Sequence, residues 1–291
     1  MSVDHVTIAP RRVQVGLIGC GISRSRTPAM HMAEAEAQGF ACDYKLLDMD
    51  DPSMSGLSLP ILLDKVESEG YAGVNVTFPY KIEVMDLMDE LSDNARAVGA
   101  VNTVILKDGK RIGHNTDLWG FAQSFRRGLG DAVLDHVLLI GAGGAGGAVA
   151  HAAAQSGVKQ LTIHDTDLGR AKTLAEQINA NWPDTSAQGC TDLEQLFATA
   201  RPDGVINATP MGMAKLPGSA LPEAYLDPSM WVADIVYFPL ETQLLKSARE
   251  HNCRVLPGSG MAVYQAVRAF ELFTGQSADP NRMKARFDAF D

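Results

Sequence analysis

The sequence predicts an α/β protein of two parts, an N-terminal α/β domain followed by a Rossmann-type, doubly wound domain. Three observations predict it. The apolar run 137–140 ends abruptly in Gly141-Ala142-Gly143-Gly144-Ala145-Gly146, and an alanine-rich segment continues to 154. Segments with strand character alternate with helical ones along the chain. At 291 residues the chain is long enough for two domains.

The glycine run reads as strand, tight turn and helix. Gly141 can take the positive-φ turn, and Gly143 lets the backbone approach a ligand closely. The helix then starts near Gly144, so its free N–H groups and its dipole face an anion such as a dinucleotide pyrophosphate. A G-x-G-x-x-G run alone is a weak signal. Here a strand precedes it and a helix follows, which is the context that gives it meaning.

Composition narrows the function classes. Hydrophobic residues make up 46% and charged residues 21%, ordinary values for a globular domain. The net charge of −10 and the lack of a basic patch argue against nucleic acid and anionic membrane as partners. No apolar run reaches the roughly 18 residues that a membrane helix needs. The N-terminal stretch is mixed and polar, with no secretory apolar region. Cys20, Cys42, Cys190 and Cys253 are scattered, which favours reduced thiols and a cytoplasmic location. The seven histidines show no metal-ligand spacing, so no metal is expected.

In order, residues 13–19 form a first strand, followed by a polar loop. Thr27 is expected to N-cap a helix with Pro28 at its first position, ending at Gly39. Strand 43–48, amphipathic helix 59–68 and strand 73–77 follow. A helix is expected from Lys81 to about Met88. Segments 101–106 and 111–113 flank Asp108-Gly109, a hairpin turn signal. Helix 118–129 leads to the glycine run. Beyond it come strand 161–164, helix 168–179, strands 204–207 and 231–236, helix 242–251 and a last helix, 261–273. The expected domains are 1–118, rejoined by 259–291, and 119–258.

Several blocks together resemble one family. Ser25-Arg26-Thr27-Pro28-Ala29-Met30-His31 resembles the S-x-[ST]-P-x-x-H loop of shikimate dehydrogenases, and Asn75-Val76-Thr77-Phe78-Pro79-Tyr80-Lys81 their N-V-T-x-P-[FY]-K. Gly99-Ala100-Val101-Asn102-Thr103, Gly113-His114-Asn115-Thr116-Asp117 and Asn207-Ala208-Thr209-Pro210-Met211-Gly212-Met213 resemble three more blocks. Gly258-Ser259-Gly260-Met261 with Gln265-Ala266 resembles the start of the closing helix. The blocks follow the family order over nearly the whole chain.

The resemblance implies a substrate-binding catalytic domain, an NAD-binding Rossmann domain and a cleft between them. It also implies reversible hydride transfer between a ring hydroxyl of quinate or shikimate and a nicotinamide. Lys81 and Asp117 are then the pair that handles the hydroxyl proton. Taken singly, Lys81 reads as a solvated residue starting a helix and Asp117 as an N-cap. The resemblance further implies that Ser25 and Thr27 hold the substrate carboxylate, while Thr77, Asn102 and Gln265 bind ring hydroxyls. Tyr237 is a substrate-site candidate, with an ordinary rim tyrosine as the equal alternative. Gly141, Ala142, Gly143, Gly144 and Ala145 would cradle the pyrophosphate. Pro210, Met211, Gly212, Met213 and Val236 would line the nicotinamide side, with Gly258 and Met261 closing it. Plain core packing is the alternative for the three methionines.

Two departures bear on cofactor and substrate. Asp165, at the end of the second Rossmann strand, would accept hydrogen bonds from adenosine ribose hydroxyls and repel a 2′-phosphate. Family members that use NADP commonly carry N-R-T where this chain has His164-Asp165-Thr166, so NAD is expected over NADP. Arg170 is a further cofactor candidate. Thr27 stands where biosynthetic members usually have serine, which points to the quinate/shikimate branch. The alternatives are an NADP-dependent biosynthetic enzyme, an amino-shikimate dehydrogenase and, from another class, an inactive NAD-binding regulator. A monomer and a homodimer are equally compatible with the sequence.

Overall fold

In a computed structural model, residues 12–290 are described, so the polar stretch 1–11 lies outside the described residues. The chain divides into two compact units. The first comprises the chain up to Leu91, Val101–His114 and the chain from Ala266 onward. The second comprises Ser92–Ala100 and Asn115–Gln265.

In the first unit, β1 (Arg12–Gly19), α1 (Thr27–Ala37), β2 (Ala41–Asp48), α2 (Leu59–Ser68) and β3 (Gly73–Val76) alternate as expected. β4 (Glu90–Leu91) belongs to the same unit. β5 (Thr103–Lys107) and β6 (Lys110–His114) form a hairpin. Its turn residues Asp108 and Gly109 both have positive φ, 54° and 70°, the backbone that a two-residue turn of matching twist requires. The sheet order is β2-β1-β3-β5-β6-β4. β1 pairs parallel with β2 and β3, whereas β5 runs antiparallel to both of its neighbours.

The second unit begins with the one-and-a-half-turn helix α3 (Asp93–Val98). α4 (Thr116–Leu129), β7 (His136–Ile140), α5 (Gly144–Gln155), β8 (Gln160–His164), α6 (Leu168–Asn181) and β9 (Ser186–Cys190) follow. Then come α7 (Leu193–Thr199), β10 (Gly204–Asn207), β11 (Trp231–Asp234), α8 (Gln243–Glu250) and β12 (Arg254–Leu256). The sheet order β12-β11-β10-β7-β8-β9 is the Rossmann order read from its far edge, and every pairing is parallel. Alternate residues serve opposite faces. Val137, Leu139, Leu161, Ile163 and Ile206 pack with α4, α5 and α6. Leu138, Ile140, Val205 and Val232 pack with Leu196 of α7 and with Leu244 and Ala248 of α8. A parallel sheet covered on both faces needs this near-continuous apolar character.

α9 (Ser259–Thr274) and α10 (Pro280–Asp288) close the chain. α10 packs on α1, and the two are tied at both ends. Glu34, fully buried, accepts hydrogen bonds from Arg282 (3.2 Å), the Asp279 amide (3.0 Å) and Gln38 (2.6 Å). Arg26, also buried, donates to the Phe287 carbonyl at 2.9 Å and lies over the Phe287 ring.

Several expectations are corrected. Residues 83–87 form a 3-10 turn rather than an α-helix. Arg26, not Thr27, occupies the N-cap of α1. The strand expected over 231–236 stops at Asp234, whose carboxylate takes the Val236 amide at 2.9 Å. The unit boundary also differs from the expected 118/119. α3 packs on α4 and α5, and Val98 and Ala100 share a core with Leu118 and Phe121, so both segments join the second unit.

Candidate active site

In the first unit, Ser25, Thr27, Thr77 and Asn102 lie at one end of the central strands, where β1 and β3 end and β5 begins. Asp48, at the end of β2, accepts the amides of Gly21 and Ile22, both at 3.0 Å, and so fixes the loop after β1. That loop carries Ser25, whose Oγ accepts the Thr27 amide at 3.3 Å. Thr27 is the first residue of α1 and not its N-cap. Thr77 follows β3 and its amide donates to the Ile18 carbonyl at 2.9 Å. A side chain on Gly19 would overlap the Thr77 methyl, with a Cβ 2.4 Å away. Lys81, half-buried, sits in the turns after Thr77, and its carbonyl accepts the Val101 amide at 2.8 Å.

Asn102 comes next and is buried. Thr103 donates to its Oδ1 at 3.2 Å. Asn75 donates in turn to the Thr103 hydroxyl (2.9 Å) and accepts from Tyr44 (2.8 Å). This buried chain orients the Asn102 amide from behind. Asp48 and Tyr44 come from β2, and no local spacing along the chain ties them to these residues.

In the second unit, Gly141 ends β7 with φ 104°, and a Cβ there would lie 2.9 Å from the Ala208 backbone. Gly146 lies one turn into α5, where a Cβ would come within 2.1 Å of the Gly141 carbonyl oxygen. By contrast, Cβ atoms at Gly143 and Gly144 would meet nothing within 4 Å. The turn is thus packed tightly against protein on one side and open on the other, with the start of α5 facing the open side. A pyrophosphate fits there.

The Asp165 carboxylate faces the same turn. Its Oδ2 accepts the Ala142 amide at 2.8 Å and its Oδ1 the Asp167 amide at 2.9 Å. Asp167, not Asp165, caps α6. Burial pushes the Asp165 carboxyl up, but these two amides and Arg170 outweigh it, and the net shift is downward. The exposed Arg170 guanidinium lies 3.6 Å from Asp167.

Asp117 is the second residue of α4 and is 8% exposed. Asn115 caps this helix, accepting the Leu118 amide at 3.0 Å. One turn later, a Cβ on Gly120 would lie 2.9 Å from the Met261 carbonyl and 2.7 Å from the Gln265 amide nitrogen. α4 and α9 therefore approach backbone to backbone, which places Asp117, Met261 and Gln265 on adjoining turns. The Gln265 side chain donates through Nε2 to the Ala262 carbonyl of its own helix at 3.0 Å. Beyond β10, the loop 208–213 carries Pro210, Met211, Gly212 and Met213, the last 40% exposed. Gly258 is pressed against Ile235 and Val236, whose carbonyl oxygens lie 2.5 and 2.6 Å from a Cβ there. Val236 is buried, and Tyr237 beside it is 43% exposed.

Residues 17–104 match the shikimate dehydrogenase substrate binding domain, and 258–286 the shikimate 5'-dehydrogenase C-terminal domain. The chain is 49% identical to the quinate/shikimate dehydrogenase (NAD(+)) of Corynebacterium efficiens, over 94% of this chain and 97% of that one. The chain belongs to the shikimate dehydrogenase family. Within that family, it is 46% identical to the shikimate dehydrogenase (NADP(+)) of Streptomyces avermitilis, over 93% of each chain. A solved structure of quinate dehydrogenase from Corynebacterium glutamicum in complex with NAD superposes with a TM-score of 0.93 at 45% identity, covering 96% of this chain and 100% of that one. Relatives of both cofactor types thus stand at similar identity. The residues around Asp165, rather than overall similarity, bear on the cofactor of this family member.

Among the described residues, no helix is long and apolar enough to cross a membrane, and no cluster of three or more His, Cys, Asp or Glu could hold a metal. The four cysteines are free.

Proposed function

We propose that this chain catalyses the reversible oxidation of quinate and shikimate at a ring hydroxyl, with NAD as the hydride acceptor. The observation that carries the reading is Asp165. Its carboxylate ends the second Rossmann strand and is locked onto the glycine turn through Ala142. In that position it accepts hydrogen bonds from ribose hydroxyls and repels a 2′-phosphate.

Bound NAD supplies the electrophilic carbon that takes the hydride. The protein's own groups do the rest. Gly143 to Ala145 receive the pyrophosphate on backbone N–H groups at the start of α5, while the Ala142 amide is held by Asp165. Pro210 to Met213, Val236, Gly258 and Met261 line the nicotinamide side. Ser25 and Thr27 hold the substrate carboxylate, and Thr77, Asn102, Gln265 and Tyr237 bind the hydroxyls. Lys81 takes the proton of the reacting hydroxyl during oxidation and returns it during reduction, while Asp117 accepts a neighbouring substrate hydroxyl. A buried polar group left without a partner costs about 1–3 kcal/mol, so this many neutral partners select a polyhydroxylated ring.

The test is a set of initial rates for quinate and shikimate, each with NAD and with NADP. Turnover of both substrates with NAD supports the reading. Turnover of shikimate alone, and only with NADP, overturns it in favour of the biosynthetic reaction. NAD binding with no turnover points to a regulator.

A further inference from the structure

Asp234 ends β11 and is 2% exposed, yet none of the roles assigned above uses it. Three donors from three segments converge on its carboxylate. Oδ1 accepts Nδ2 of Asn207 and the Val236 amide, both at 2.9 Å, and Oδ2 accepts the Thr242 hydroxyl at 2.7 Å. Each donor controls a further segment. The Asn207 amide also donates to the Met211 carbonyl (3.0 Å), and its oxygen accepts the Thr209 hydroxyl (2.7 Å) and amide (3.0 Å). The Thr209 hydroxyl accepts the Met211 amide at 3.1 Å. Thr242 caps α8 by accepting the Leu245 amide at 3.3 Å.

The carboxylate thereby fastens the loop after β10, the turn after β11 and the start of α8. An acceptor-only group with two oxygens suits a place where every neighbour donates. Burying a carboxylate is costly. Its expense is matched by what it fixes: Pro210, Met211, Gly212, Met213 and Val236 all hang from this one knot.

The geometry points to Asp234 as a positioning residue for hydride transfer: through Asn207, Thr209 and Thr242 it sets the two loops that line the nicotinamide side. The inference rests on the dehydrogenase reading above. It requires that loosening the knot disturb hydride transfer and leave the adenosine–pyrophosphate half of the cofactor site intact.

The test compares the unmodified chain with Asp234→Ala, Asp234→Asn and Thr242→Val. The readouts are kcat for quinate with NAD, affinity for ADP-ribose, and the primary isotope effect on kcat with substrate deuterated at the reacting carbon. Asp234→Ala is expected to lose kcat by roughly tenfold to a hundredfold. Its isotope effect should rise while ADP-ribose affinity stays within about twofold. Asp234→Asn keeps an acceptor for Asn207 and Val236 and can donate to Thr242, so it should recover most of the loss. Thr242→Val removes one of the three donors and serves where the alanine variant does not fold; it should shift both kinetic readouts in the same direction. Unchanged kcat and isotope effect in folded Asp234→Ala, or in Thr242→Val where the alanine variant does not fold, overturn the inference alone, as does a fall in ADP-ribose affinity parallel to kcat. Absence of turnover by the unmodified chain overturns the dehydrogenase reading, and this inference with it.

Discussion

The Asp165 carboxylate accepts the Ala142 amide at 2.8 Å, so the acidic residue at the end of β8 and the glycine turn after β7 are a single piece of structure. In the proposed function, the group that reads the ribose also holds the turn that receives the pyrophosphate. Replacing Asp165 with Asn keeps an oxygen for Ala142 while removing the charge. The ratio of kcat/KM for NAD over NADP should then fall by on the order of tenfold or more, because like-charge repulsion is what the carboxylate contributes. Steady-state kinetics with both cofactors check this.

Lys81→Met should lower kcat by roughly a hundredfold to ten-thousandfold, the range that positioned proton transfer contributes. NAD affinity, followed by fluorescence titration, should not change, because Lys81 and the glycine turn belong to different units.

Thr27→Ser removes one methyl beside the expected carboxylate site and leaves the hydroxyl in place. A methyl shifts discrimination by only ~1 kcal/mol. The expected outcome is a change of several-fold in the quinate-to-shikimate ratio of kcat/KM, with no loss of overall activity.

Gly146→Ala places a Cβ where the Gly141 carbonyl oxygen lies 2.1 Å away. Relief requires α5 to move off the turn, at a cost of about 1–3 kcal/mol. Thermal unfolding should show a lower Tm, and NAD binding should weaken with it.

Burial pushes the Asp234 carboxyl up to about 6, whereas in an unfolded chain an aspartate titrates near ~3.9. The folded state holds this proton more tightly, so the contribution of Asp234 to stability is most favourable below the unfolded value. It is lost as pH rises through about 6. Asp234→Asn has no such loss. Relative to the unmodified chain, its stability should improve by on the order of 2 kcal/mol between acid and neutral pH. Denaturant midpoints at pH 4 and pH 7 measure the difference.

The parts of this molecule that can be read from sequence are those where one short stretch carries both the pattern and its cause. The glycine turn is legible because apolar 137–140, Gly141 and the alanines of α5 adjoin. The hairpin at Asp108-Gly109 is legible for the same reason. β9 (Ser-Ala-Gln-Gly-Cys) is not, since an edge strand of small and polar residues has no periodicity to show. β12 has three residues and is defined only by pairing with β11. The stretch after Lys81 has helical composition, but tertiary bonds such as that from Val101 to the Lys81 carbonyl hold it in tighter turns. At the site, motif residues were visible and their supports were not. Asn75, a motif residue, connects to Tyr44 and Thr103, and no spacing along the chain predicts those bonds. Nothing along the chain marks Asp234, because its donors lie 27, 2 and 8 positions away.

The tie between α1 and α10 sets an order on biosynthesis. The second unit emerges from the ribosome almost as one continuous segment, Asn115–Gln265, and can fold while translation continues. The first cannot be completed then. Glu34 is made early, but the Asp279 amide and Arg282, which satisfy and neutralise it, are synthesised 245 and 248 positions later. Until they do, the helix that follows Ser25 and Thr27 lacks its cover, and a buried carboxylate has no cation. A nascent chain cut short before residue 280 would keep the Rossmann unit while leaving the substrate half unfinished.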